Sequence, residues 1–263
     1  MKNKNLYSFF SGGAVASLGG LVGLGGAEFR LPILVGFFAF PTINAVIINK
    51  VISLVVVLFS LIFRIHTISF HDLLPYSFTI INILIGSLSG AYFGAHYALK
   101  INQALLNKII FVMLVVLSLS MLFGHSYLVA GKPLFDNQII LLISGIFAGF
   151  IIGIVAAMLG VAGGEFIIPT LILLFGLDPK LAGSVSLCIS LPTMIMAFFR
   201  YSKSQQFQEI KKEKSFVTFM IIGSIVGSFI GSLLLQYVNS AYLAMILGFI
   251  LLTSAFKVFN GKH

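Results

Sequence analysis

Of 263 residues, 59% are hydrophobic and only 9% are Asp, Glu, Lys or Arg, where a soluble domain carries about 25% charged residues. So few charges cannot build a water-facing surface, and the solvent for most of this chain is lipid. The formal net charge of +9 sits mostly in short gaps between apolar runs, the positive-inside pattern of a multi-pass membrane protein, and no nucleic-acid motif accompanies it.

The chain starts with Lys2 and Lys4 ahead of an apolar run. That start has the look of a secretion signal, but the run leads straight into a Gly-rich motif that recurs later, so it is read as mature protein. Apolar runs fall at 6–24 plus 28–40, 44–63, 75–98, 105–123, 139–158 plus 165–177, 181–199, 215–236 and 241–256. A helix needs about 20 apolar residues to cross the hydrocarbon core. Each run must be helical, because backbone polar groups in lipid have to be satisfied within the segment. The expected fold is an all-α polytopic membrane protein of about eight transmembrane segments, in the cell membrane, with both termini cytoplasmic. The single cysteine, Cys188, excludes an intrachain disulfide. With no Trp in the chain, Tyr and Phe must supply any interfacial belt.

The chain repeats itself at an offset of 137 residues. Gly23-Leu24-Gly25-Gly26-Ala27-Glu28-Phe29-Arg30-Leu31-Pro32 lies over Gly160-Val161-Ala162-Gly163-Gly164-Glu165-Phe166-Ile167-Ile168-Pro169, and the same offset carries Gly86, Gly90 and Gly94 onto Gly223, Gly227 and Gly231. Apolar low complexity gives chance Leu and Ile matches, but not Gly, Glu and Pro at one fixed spacing. Two tandem four-segment units follow, 1–130 and 131–263, within one membrane domain; such duplication is frequent in transporters.

The orientation of the two units depends on the Gly-rich stretches, 6–40 and 139–177, which are too long for one crossing. As plain crossings they make the halves parallel; as hairpins or re-entrant elements broken at the glycines they make the halves inverted. Total Lys and Arg counts do not separate the two. Loop bias favours inversion: the loop after the second segment holds only Arg64 in the first half but Arg200, Lys203, Lys211, Lys212 and Lys214 in the second.

With these duplicated segments, the chain resembles the TauE/SafE family of sulfite exporters and sulfonate permeases. The family's mark is a Gly-x-Gly-Gly-Gly-x-x-x-x-Pro run near the start of each half. Gly23, Gly25, Gly26 and Pro32 match it with Ala27 in the third place of the triplet; Gly160, Gly163, Gly164 and Pro169 match it with Ala162 in the first. The resemblance covers nearly the whole chain. It implies uptake or export of sulfite, sulfonates or related anions. Family members often carry an apolar residue where this chain has Glu28 and Glu165, a departure from the pattern.

Glycine is costly inside a helix, so two half-helices are expected to begin near Ala27 and Gly164, with Pro32 and Pro169 early in each. A helix N-terminus carries positive partial charge and suits an anion. Gly25, Gly26, Ala27, Gly163 and Gly164 are therefore candidate substrate-binding positions; the other reading of these glycines is close packing alone. Glu28 and Glu165 fall in the first turn of each half-helix. They either cap it or carry a coupling proton, and the two roles are compatible.

Arg30 and Lys50 are charged residues within apolar segments and candidate substrate contacts; the alternatives are an Arg30–Glu28 pair and a Lys50 side chain reaching the interface. Asn49 and Ser186 are candidate hydrogen-bond donors to substrate, and Asn44 and Ser184 share their segment starts. Equally, all four are suited to interhelical contacts. His66, His71, His96 and His125 have no metal-ligand spacing. No phosphate-binding loop or catalytic motif appears. The expectation is thus a secondary transporter of a small anion, not an enzyme, without cofactor or metal, whose partners are the solute and the bilayer; a homodimer is compatible with the sequence. A channel, a carrier of another solute, or a non-transporting membrane protein are the alternatives.

Overall fold

The computed structural model describes residues 2–40, 42–64, 68–97, 132–159, 161–201 and 213–239, with isolated positions between 108 and 122 and between 242 and 256. The apolar runs at 105–123 and 241–256 therefore lie mostly outside the described residues. At two of the isolated positions, the Ser118 hydroxyl donates to the Gly248 carbonyl at 2.9 Å.

Every regular element among the described residues is helical. In chain order these are α1 (Lys2–Val22), α2 (Ala27–Pro32, continued by a π-helical turn Ile33–Phe37), α3 (Thr42–Arg64), the short α4 (Phe70–Leu73), α5 (Ser77–Tyr97), α6 (Gln138–Leu159), α7 (Gly164–Phe175), α8 (Pro179–Tyr201) and α9 (Lys214–Leu234). Five stretches are long and apolar enough to cross a membrane: Ile47–Arg64, His71–Gly94, Gln138–Ala157, Pro179–Phe199 and Lys214–Leu234. Helix α1 is 21 residues long but dilutes its apolar residues with Gly and Ser.

Close helix pairs are built on glycine. In lipid there is no hydrophobic drive between helices, so tight association relies on small residues that let backbones approach. A Cβ at Gly223, Gly227 or Gly231 of α9 would collide with the carbonyl of Phe9, Gly13 or Ser17 of α1. The matching numbers rise together, so the two helices run parallel. Gly86, Gly90 and Gly94 of α5 meet Ile146, Phe150 and Ile154 of α6 in the same way. Each member of the second set is the first shifted by 137 residues, with the halves exchanged. The first helix of each half thus packs on the third helix of the other, and α3 crosses its counterpart α8 between them.

The Gly-rich stretches are helical hairpins. Gly23, Gly25 and Gly26 all have positive φ, and Gly26 sits at the N-cap of α2 with φ 72° and ψ 16°. The chain then turns back along α1: a Cβ on Gly26 would stand 2.8 Å from the Val15 carbonyl oxygen, and the rings of Tyr7 and Phe37 lie 6.0 Å apart. In the second half Gly163 caps α7 with φ 79° and ψ 0°, and the returning end is held where the Leu134 N–H donates to the Leu174 carbonyl at 2.9 Å. The ends of the two half-helices also correspond, with positive φ at Ala39 and at Gly176. Each half-helix begins where the sequence places it. The prolines fall deeper than expected: Pro169 is the sixth residue of α7 and removes the donor that would reach the Glu165 carbonyl.

Two membrane ends can be told apart. At one, Lys4 Nζ lies 3.3 Å from Glu213 Oε2 and over the Phe40 ring at 4.5 Å. Both side chains are about two-fifths exposed, so the pair contributes less than about 1 kcal/mol. At the other end lie α4 and the start of α8.

Candidate substrate site at the two helix breaks

The two breaks meet in the interior. A Cβ on Gly164 would stand 3.1 Å from the Leu24 Cα and 3.3 Å from the Ser186 hydroxyl, and one on Gly25 would stand 2.8 Å from a Val57 methyl and 3.9 Å from the Ala162 Cβ. Leu24, Ala27, Val57, Ala162 and Leu187 are all buried here. The positive ends of two half-helices therefore share one region with the middles of α3 and α8.

Arg30 lies in the last turn of α2 and is fully buried. Its Nη1 donates to Ser53 Oγ at 2.8 Å and to Asn49 Oδ1 at 3.3 Å, and its Nη2 donates to the Gly25 carbonyl at 3.3 Å. Asn49 in turn donates from Nδ2 to the Ala27 carbonyl at 2.9 Å. The guanidinium thus ties the break, the half-helix and α3 into one unit. A buried charge is costly unless hydrogen-bonded in this manner. Lys50, the next residue on α3, is only 2% exposed. Arg30 finds its partners on α3 as well as any nearer in sequence. Asn44, at the start of α3, is half-buried.

Glu165 lies in the first turn of α7, 3% exposed. Glu28 occupies the corresponding turn of α2; its side chain lies outside the described set.

The second half differs in a way that the aligned sequences alone do not reveal. The 137-residue offset carries Asn49 to Ser186, Ser53 to Ser190 and Arg30 to Ile167. Where Arg30 fills the first half, Ile167 packs into the apolar core with Phe166, Leu171 and Val185. Among the described residues the buried hydroxyls of Ser184, Ser186 and Ser190 find no hydrogen-bond partner. A hydroxyl inside a helix ordinarily bonds a carbonyl one turn back; of these three, Ser186 lies beside the start of α7. Ser53 and Ser190 were missed by sequence reasoning, although superposing the halves at the 137-residue offset marks them. The candidate site is therefore asymmetric, with the protein's own cation in one half and an apolar residue in its place in the other.

The left-handed caps set the breaks, which gives an expected result. Gly26→Ala and Gly163→Ala should each lose about 1–2 kcal/mol from forcing an L-residue to positive φ. Gly26→Ala should lose more, since its Cβ would press on the Val15 carbonyl oxygen at 2.8 Å, whereas that of Gly163→Ala meets the Ala156 methyl at 3.0 Å. Thermal unfolding in detergent measures both; variants as stable as the parent would show that the caps do not fix the break.

Buried helix breaks beside a buried cation, within a bundle of membrane-length helices, are an architecture that membrane transporters use. The profile of the family described as "Sulfite exporter TauE/SafE" matches residues 1–121 and 145–263, and the chain belongs to this family. It is also 28% identical over 123 residues to a probable membrane transporter protein of Methanocaldococcus jannaschii; the match covers 45% of this chain and 45% of that one. No solved structure matches the chain.

Proposed function

We propose that this protein is a secondary carrier of a small sulfur oxyanion, sulfite or a small sulfonate. It works from eight membrane segments in two inverted repeats, with both termini in the cytoplasm. One observation carries the reading: the two helix breaks meet in the interior beside the buried Arg30 and the Ser186 hydroxyl. Helix N-termini, a guanidinium and hydroxyls together suit a compact anion with several oxygens. The family's printed description supports sulfite as the anion.

Inversion is supported by chain direction. The half-helix after α1 returns to the level of Tyr7, so α3 starts at that end. It finishes with Arg64 beside Gly23, at the far end of α1. Helices α1 and α3 then run the same way and α5 runs back; α6 runs parallel to α5, so the second half begins on the side opposite the start of α1.

Glu165 and Glu28 at the half-helix starts supply a coupling device. An ionised carboxylate competes with the anion for the positive helix end, and protonation removes the competitor. Anion and proton then move together.

The test is flux in proteoliposomes. Labelled sulfite should enter saturably and faster under an inward proton gradient. Glu165→Gln and Glu28→Gln should keep saturable entry while losing the gradient dependence. Saturable flux with unchanged gradient dependence would reduce both glutamates to helix caps. Absence of flux with sulfite, sulfonates and sulfate would remove the sulfur-anion assignment and move the reading to a channel or to a carrier of another solute.

A further inference from the structure

A second buried cation lies away from the two breaks. Arg64 is the last residue of α3 and is 1% exposed. Its Nη2 donates to the Lys180 carbonyl at 3.2 Å. Its Nε and Nη1, which carry three N–H bonds between them, find no hydrogen-bond partner among the described residues. Among the described residues Arg64 makes no ion pair. The guanidinium is wedged between two glycines on different helices. A Cβ on Gly183 would lie 2.5 Å from Nη1 and 2.9 Å from Nη2, and one on Gly23 would collide with Nη1.

This position joins two features. Gly23 is the first residue of the break. Arg64 also adjoins, without itself lining, a cleft of about 490 Å³ lined by Ile68, His71, Asp72, Tyr76, Asp178 and Lys180 among others. The link to the cleft is direct: Lys180 accepts from Arg64, and the Ile68 N–H donates to the Arg64 carbonyl at 2.8 Å. The two carboxylates of the cleft are engaged at helix starts. Asp178 Oδ1 accepts from the Lys180 N–H at 2.9 Å, and Asp72 Oδ2 accepts from the Ser69 N–H at 3.0 Å. Neither reaches Arg64.

We propose that Arg64 is a second anion site, directly behind the Ile68 and Lys180 wall of the Asp178-end cleft, where an oxyanion rests before it reaches the helix breaks. The unused N–H groups suit sulfite, sulfate or phosphate oxygens. The path from this site to the breaks rests on the carrier reading; the binding at Arg64 does not.

The experiment is arginine labelling of the whole protein in proteoliposomes with phenylglyoxal, read by mass spectrometry of the Arg64 peptide. Labelling is expected, and sulfite or sulfate should slow it by about tenfold relative to chloride at equal ionic strength, as for a site near saturation. Flux of labelled sulfite is measured on the same preparation. Protection of Arg64 without sulfite flux would fell the carrier reading and leave the site standing. Flux without protection, or no labelling at Arg64, would overturn the site and leave the guanidinium as a pin at the C-terminal end of α1. The variants Arg64→Lys and Arg64→Met separate charge from packing. Arg64→Lys should keep flux with about a tenfold higher half-saturation for anion supplied at the cleft end, and an unchanged value at the opposite end. Equal effects at both ends would also overturn the proposal.

Discussion

Gly90→Val and Gly227→Val should each destabilise the bundle by about 3 kcal/mol or more, the upper end of overpacking costs in a close-packed core. Gly90 lies against the Phe150 carbonyl, and Gly227 against the Gly13 carbonyl, closer than any Cβ could stand. Neither contact is the far end of a flexible side chain, so a valine there must push whole helices apart. Separating α1 from α9, or α5 from α6, also breaks the neighbouring glycine contacts above and below. Because the two crossings correspond at the 137-residue offset, the two losses should be similar. Gly36→Ala is the control: nothing lies within 4 Å of a Cβ there, and its effect should stay within about 0.5 kcal/mol. Denaturation midpoints in detergent make the comparison. A Gly90→Val or Gly227→Val protein as stable as Gly36→Ala would rule out the parallel close crossings.

The second large effect is expected at Arg30. Arg30→Met keeps much of the volume but removes the donors to Ser53, Asn49 and the Gly25 carbonyl, at 2.8, 3.3 and 3.3 Å. Leaving buried acceptors such as these unsatisfied costs about 1–3 kcal/mol. Asn49 keeps its bond to the Ala27 carbonyl, so the half-helix stays anchored to α3 and the variant should still fold. Sulfite flux should fall by about a hundredfold, the equivalent of roughly 3 kcal/mol. Arg30→Lys restores the charge without the planar fork, and should recover part of the flux. The measurement pairs initial flux with thermal stability. Flux within twofold of the parent in Arg30→Met would assign Arg30 to packing of the break alone.

Much of this protein is legible in its sequence because lipid imposes simple rules. Nine per cent charge and long apolar runs leave helices as the only answer. The repeated Gly-Gly-x-Glu-Phe-x-x-Pro places helix starts at Ala27 and Gly164, since only glycine takes the left-handed cap without penalty. Arg30 and Lys50 stand out because a charge inside an apolar segment is expensive.

Partner choice was not legible. A ladder such as Gly86, Gly90 and Gly94 says that some backbone comes close; it does not say that α6 of the other half supplies it. The same holds for Arg64. In the sequence it ends an apolar run and reads as a loop charge. In the fold it is buried, because Gly23 and Gly183, 41 and 119 residues away in sequence, leave a slot where a side chain on either would have closed it.

The sequence by itself determined the solvent, the helical class, the 137-residue repeat and the positions of the two breaks, all of which follow from local composition and backbone cost. Only the tertiary structure decided that the two halves exchange helices, that Arg30 is buried against α3 while its counterpart Ile167 packs into the apolar core, and that Arg64 is enclosed. These depend on which surfaces meet, and glycine, the residue that lets them meet, carries no side chain to name its partner.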